Sequence, residues 1–583
     1  MTKKTTSPVR AEKACTRAIM HSTNIHESYY LLHLIDSALW LLDHELGLQE
    51  VEIVLHPIGV FHTPITIFQG LKRRLFTLPF TIFSAIKRHL GRVKEVISYR
   101  VNSQAGEKGY TGVETGSIFA QVNQGRYPVI LTTEIGTIII HRSGRRLIKS
   151  LMEGVQTYLT ARRLWRTCHE NDVLQPKRLL QLNYGGIVIG DLVASMALRQ
   201  YPQSGGSMQA CPGLWPTLLN AVAIRDYITT NIPSDCQNSY VIIPEPTYLH
   251  ALYSRLLHKQ GACVLARYHY AKEFVLISPQ QDLYNPKVVQ TKKFTPPSDE
   301  DILRAKTYLQ ERIEQPNKHL WYMLDGVNCI DEQLWDTEDN LIEDVEGGLS
   351  AVVFLHCFDD AQYFYGVDGF DDLYHWTIFT IDKLIDNPNV TKVFIKPHPS
   401  INFINYKGDK VALERLCDRY AENRKIIWLR KDCSLKAIAK LGRVVGVTHH
   451  GSVAEELTYL GIPVVASAVA SWGTAFAFVN IWRNPEEYKT LLNHLSGENW
   501  AKPSTAMIDD LLGYIVEYRL NAISIYARSP WMKYGHWADG EVPKVTTFSY
   551  YRRRLDQLSS GDAITSGLLE WLICERRAAK SNR

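Results

Sequence analysis

At 583 residues the chain exceeds what one hydrophobic core supports, so at least two large domains are expected. Hydrophobic residues at 45% and charged residues at 21% exclude a largely disordered chain. A net charge of +5, from 65 basic and 60 acidic residues, gives no nucleic-acid footprint, and no nucleic-acid partner is expected. The ten cysteines never sit at C-x-x-C spacing, so the pattern offers neither a zinc site nor a redox motif. It reads as reduced, mostly buried thiols of a cytoplasmic protein. Residues 1–13 are polar and basic, unlike a signal peptide, and no apolar run is long enough to span a bilayer.

Residues 1–20 read as a flexible tail. Helical apolar spacing follows over 28–46, then a short β-branched strand over 51–55. Over 65–90, Lys72-Arg73-Arg74 and Pro79 interrupt apolar stretches. That segment is either a helix–loop–helix on the N-terminal domain or a basic amphipathic surface giving peripheral contact with a membrane. Residues 127–141, rich in Val, Ile and Thr, read as one strand or a hairpin, and helix is expected over 145–165. Helices over 218–230, just after Pro216, and over 248–260 alternate with strands over 239–244 and 262–266. This βαβ rhythm implies a parallel sheet. After a break at 291–297, Ser298 and Asp301 form a capping-box pair for a helix to about residue 314. The interdomain connection is placed in the acidic stretch 331–348.

The rest alternates most clearly. Strands over 349–355, 391–395, 425–429, 444–447 and 463–466 enclose helices over 372–385, 411–420, 435–441 and 453–460. That is a doubly wound α/β domain, whose ligands bind where the strands end. Residues 500–583 read as helical apart from a loop at 533–550. The expected division is a tail at 1–20, an α/β domain at 21–345, a second at 346–500 and a helical extension at 501–583.

Two motifs sit at strand ends. In Val393-Phe394-Ile395-Lys396-Pro397-His398-Pro399, the prolines make a rigid turn that holds Lys396 and His398 outward, which suits phosphate oxygens. In Thr448-His449-His450-Gly451-Ser452-Val453-Ala454-Glu455-Glu456, a small-residue turn opens a helix whose free N–H groups suit an anion. Ser452 is expected to cap that helix, and Glu456 to reach ribose hydroxyls. The plain alternatives are a strand-ending turn with His398 on nearby backbone, and a βα turn with Glu455 and Glu456 in solvent.

These motifs, with Gly461-Ile462-Pro463-Val464, resemble bacterial capsule and surface-polysaccharide synthesis proteins, the Kdo-transferase-like and sialyltransferase-like GT-B enzymes with an HP motif. The segments His356-Cys357-Phe358-Asp359-Asp360, Asp371-Asp372-Leu373-Tyr374-His375-Trp376 and Gly190-Asp191 are similar to further pieces of that family. Ser452 stands where Thr is more usual, and Ala194-Ser195-Met196 lacks an expected acidic residue.

The resemblance implies a GT-B fold of two Rossmann-like domains facing a cleft. It implies a metal-independent glycosyltransferase that moves a sugar, Kdo-like favoured, to a growing surface polysaccharide or glycolipid. His398, Gly451 and Ser452 would hold the donor phosphate, Glu456 the ribose, and Lys396 would add charge, with His450 facing the donor. Asp191, Glu245, His356 and Asp360 are the catalytic candidates. No cofactor is expected: the nucleotide-sugar, CMP-linked favoured, is a substrate, and membrane or assembly enzymes are peripheral partners. Rival readings are a metal-dependent transferase using Asp359-Asp360 and Asp368–Asp372, a CDP-polyol phosphotransferase of teichoic-acid type, and a non-catalytic GT-B scaffold.

Overall fold

Short β-branched runs separated by helices assemble two sheets in the computed structural model. It describes residues 17–23, 38, 48–56, 97–100, 129–132, 137–142, 151–237, 239–243, 247–268, 273–279, 296–314, 348–364, 366–402, 407–430, 433–498 and 500–520. The chain begins with β1 (Arg17–Thr23), β2 (Glu50–His56), β3 (Ile97–Arg100), β4 (Val129–Thr132) and β5 (Thr137–Arg142). Helix α1 (Leu151–Thr167) and α2 (Pro176–Leu180) flank the small ladder of β6 (His169–Glu170) and β7 (Val173–Leu174). The ladder of β8 (Asn183–Tyr184) and β9 (Ile187–Val188) leads to α3 (Gly190–Gln200) and α4 (Leu214–Asn231). β10 (Ser239–Ile243), α5 (Ala251–Lys259), β11 (Cys263–Tyr268) and β12 (Glu273–Ile277) complete this unit.

Its sheet runs β12-β11-β10-β1-β2-β5-β4-β3. The five strands from β11 to β5 are parallel, while β12 runs antiparallel to β11, and β4, parallel to β3, runs antiparallel to β5. The expected tail is corrected here: Arg17 to Met20 belong to β1, where Ala18 and Met20 are buried. Residues 127–141 contain a hairpin, β4–β5, rather than one strand. Helix α4 begins before Pro216, because the first turn of a helix tolerates proline. Of the helix expected over 28–46 only Ala38 is described, as helical, and 65–90 lies outside the described residues.

The second unit opens with α6 (Asp299–Glu314), capped as expected: Asp301 N–H donates to Ser298 Oγ at 3.1 Å. It continues through β13 (Leu349–Phe354), α7 (Leu373–Asp386), β14 (Val390–Lys396), α8 (Lys407–Tyr420), β15 (Ile426–Trp428) and α9 (Leu435–Ala439). Then come β16 (Val444–Val447), α10 (Val453–Tyr459), β17 (Val464–Ser467), β18 (Asn480–Trp482), α11 (Pro485–Asn493) and α12 (Thr505–Tyr514), with a π-helical turn at Ile515–Leu520. The order β15-β14-β13-β16-β17-β18 is parallel throughout. In local numbering it is 3-2-1-4-5-6, the doubly wound dinucleotide-type order. β18 and α11 escaped the sequence reading, since a three-residue strand leaves little pattern.

Both faces of this sheet are covered, which is why its central strands are near-continuous apolar runs. Ala351 and Val353 face a core with Trp376, Leu416 and Tyr488, while Val352 and Phe354 face one with Leu309, Leu457 and Tyr514. The first core runs on into Val193 and Leu218, so the two units share packed side chains. Helix α6 is a correction to the boundary placed at 345/346. Its Ala305 and Leu309 lie fully buried in the second unit's core, because its apolar stripe matches α10 and α12.

A second seam comes from residues 202–208. Met208 N–H donates to Asp372 Oδ2 at 2.9 Å, Gln362 donates to Gly206 O, and Arg415 donates to Ser204 O and Gln203 O. Gly206 has φ 73°, and a Cβ there would stand 2.2 Å from Phe358 Cβ.

Leu309→Ala is expected to destabilise the fold by about 3 kcal/mol in urea unfolding. Alanine at Leu303, 64% exposed on the same helix, should change stability by less than ~0.5 kcal/mol. Equal effects would remove α6 from the second core.

Candidate donor site at the sheet edge

Parallel neighbours end at the same edge. Because β14, β13 and β16 are adjacent, the turns after them emerge side by side. The order reverses between β13 and β16, and such a switch point opens a crevice for a ligand. His356 and Cys357 follow β13, Pro397 and His398 follow β14, and Thr448 to Ser452 follow β16.

His356 joins these turns. Its Nε2 accepts from the His449 N–H at 3.1 Å and lies 3.1 Å from Thr448 Oγ1. An imidazole nitrogen that accepts carries no proton, so this ring is neutral with its hydrogen on Nδ1. Burial, then the nearby His450 and His398, push its pKa well below the ordinary value. The His450 ring lies 4.3 Å from it, centroid to centroid. On the other side Cys357 Sγ is 3.3 Å from His398 Nδ1. His398, at Cys357, and the turn at His450 and Gly451, at the His356 ring, therefore converge on the two residues that follow β13. Gly451 is required there: a Cβ would stand 2.7 Å from Thr448 Oγ1. Lys396 ends β14 with its side chain buried.

Helix α10 departs from expectation. Ser452 makes no side-chain cap; its Oγ instead accepts from Arg312 Nη2 at 3.1 Å. Glu456, expected to be open to ribose, is buried, and its Oε1 is held by Arg312 through Nε at 2.7 Å and Nη2 at 2.5 Å. Its Oε2 is buried with no hydrogen-bond partner. Burial raises the Glu456 pKa against the pull of Arg312. Glu455 is not solvated either: it is fully buried and paired with Arg519. Sequence reasoning missed both arginines. The readable signal was Arg312 itself, which extends the apolar stripe of Ala305 and Leu309.

The remaining described candidates have partners outside this cluster. Asp191 begins α3, with both carboxylate oxygens taken by Arg255 at 2.6 and 2.5 Å, so as it stands it fixes α3 against α5. Glu245 lies outside the described residues. Asp360 Oδ1 accepts from Tyr248 OH at 2.6 Å, across the seam between the units. Tyr248 has φ 55°, a left-handed conformation strained for an aromatic residue.

The acidic runs are committed elsewhere. Asp359 accepts from Gly408 N–H, Asp409 from Phe358 N–H, Asp368 from Ser467, Asp371 from Gln209, and Asp372 caps α7. Among the described residues no cluster of His, Cys, Asp and Glu has the make-up of a metal site. A surface hollow of about 710 Å³, lined by Asp382, Arg419 and Tyr420, sits where α7 and α8 end, at the opposite edge of the sheet from these turns.

Asp359 is pushed up to about 6, first by burial, against the pull of Arg199 and the Gly408 N–H. A carboxyl raised above its unfolded value of about 4 stabilises the fold below that pH and loses the contribution as pH rises through its folded pKa. Between pH ~4 and 6 stability should fall with rising pH, and Asp359→Asn should flatten that fall. Urea midpoints across this range check it; an unchanged slope would remove the assignment.

No family model and no curated protein matches the chain. Among solved structures it is similar to the β-Kdo 2,4-transferase KpsC of Thermosulfurimonas dismutans, at 10% identity, 48% of this chain, 81% of that one and TM-score 0.29. A Methanocaldococcus jannaschii UDP-GlcNAc 2-epimerase gives 12%, 52%, 81% and 0.23. The trehalose 6-phosphate synthase of Burkholderia multivorans gives 11%, 97%, 99% and 0.25. TM-scores this low carry no chemistry across, so function must be read from the chain's own residues. No helix among the described residues is long and apolar enough to cross a membrane.

Proposed function

We propose that the chain is a GT-B-type glycosyltransferase that takes its sugar from a nucleotide-activated donor bound at the β13–β16 switch point. The observation that carries this reading is the convergence of His398 and of the His450–Gly451 turn on Cys357 and the neutral His356 ring, the two residues after β13. The resemblance noted in the sequence favours a CMP-linked, Kdo-like donor and a surface polysaccharide or glycolipid acceptor, with the enzyme working on the cytoplasmic side.

The acceptor hydroxyl oxygen attacks the anomeric carbon. The bond from that carbon to the phosphate oxygen breaks, and its electron pair leaves with the nucleotide. His398 and Ser452 face the growing negative charge, with Lys396 adding a cation. Fixed donors of this kind act at developing charge without reorganising. His356 holds the turn in place. Asp360, at the seam where Tyr248 reaches across, is assigned the acceptor proton.

Calorimetric titration with CMP, UDP and GDP tests the site. One of them should bind, and His398→Ala should weaken it at least tenfold, the scale of a lost charge-assisted hydrogen bond. Unaltered affinity would remove His398 from the site. A donor screen reading the released nucleotide by mass spectrometry then separates sugar transfer from polyol-phosphate transfer.

A further inference from the structure

We propose that Arg312, on the helix preceding the second sheet, is a positioning residue that sets the hydrogen-bond polarity of the donor site by fixing the Ser452 hydroxyl as a donor to phosphate. The inference rests on the donor-site reading above.

A serine hydroxyl has one proton to give and lone pairs to accept with. In a free helix cap it accepts from the helix's own N–H groups, as Ser434 and Ser504 do for α9 and α12. Ser452 makes no such bond. Its oxygen accepts from Arg312 Nη2 at 3.1 Å instead. A guanidinium carries donors only, so it cannot receive the serine proton. Glu456 lies one turn on and shares the helix face of Ser452, yet its Oε2 receives no hydrogen bond. The proton is thus left for a ligand at the half-buried turn, where Gly451 carries no side chain.

The same fork governs Glu456. Nε and Nη2 both close on Oε1, leaving Oε2 as a buried acceptor without a partner. A buried carboxylate oxygen left open is costly, and among the described residues it has no donor. One arginine therefore presents a donor and an acceptor on the same face of α10. Its own place is secured by Tyr308, whose hydroxyl accepts from Nη1 at 3.1 Å. The chemistry fits a nucleotide, with phosphate at Ser452 and a hydroxyl at Glu456.

The test compares the nucleotide that the wild type binds best with its nucleoside, by calorimetry. The proteins are wild type, Arg312→Gln, Ser452→Ala and the double variant. The preference for nucleotide over nucleoside should fall about tenfold in each single variant, the scale of one charge-assisted bond, and no further in the double. A preference retained in Arg312→Gln, or losses that multiply in the double, would overturn the proposal. If Glu456 left unpaired unfolds Arg312→Gln, the Arg312→Gln/Glu456→Gln pair removes both charges. Comparing it with Glu456→Gln alone should give the same tenfold loss, and an equal preference overturns it. A wild type that binds no nucleotide refutes the transferase reading itself, a separate result.

Discussion

The arrangement depends on β13 lying between β14 and β16 with all three parallel. Its register sets Phe354 beside Lys396 and Val353 beside Val447, so three turns reach the same height at one edge. Side chains distant in sequence then meet without strain in the strands. His356 completes the join by accepting hydrogen bonds from the turn after β16. A neutral imidazole suits this task, because protonation of Nε2 would remove the acceptor that holds the His449 N–H.

The short helix α10 would be marginal alone, since few residues bear the cost of its nucleus. It is held from both sides by buried Arg–Glu pairs, one to α6 and one to the turn after α12. Such pairs contribute little net stability against a hydrophobic replacement, because both charges leave water. Their effect is directional: removal of one partner strands the other. The segments before and after the second sheet thereby act on the same seven-residue helix.

Much of this was legible from residues alone. The βαβ rhythm, the strands at 349–355 and 444–447, the capping box at Ser298 and the prominence of His398, Gly451 and Ser452 all follow from local pattern. Local pattern could not show which element packs on which. The acidic stretch at 331–348 looked like a boundary, yet α6 sits with the second core because its stripe fits there. Glu455 and Glu456 looked like solvated or ligand-facing acids, since nothing in their neighbourhood announces arginines 64 and 144 positions away. Asp191 was read without its partner for the same reason, as Arg255 lies 64 positions on. Tyr248, with its left-handed backbone, carries no sequence mark at all.

The wide turn at Ile515–Leu520 gives the last described turn of chain a particular phase. Each residue in an α-helix turns the chain by about 100°, so one extra residue per loop swings everything after it around the axis. Arg519, within that turn, meets Glu455. The bulge thus carries one of the two hands that hold α10, and a change in its winding would act on a helix more than fifty positions earlier in the chain.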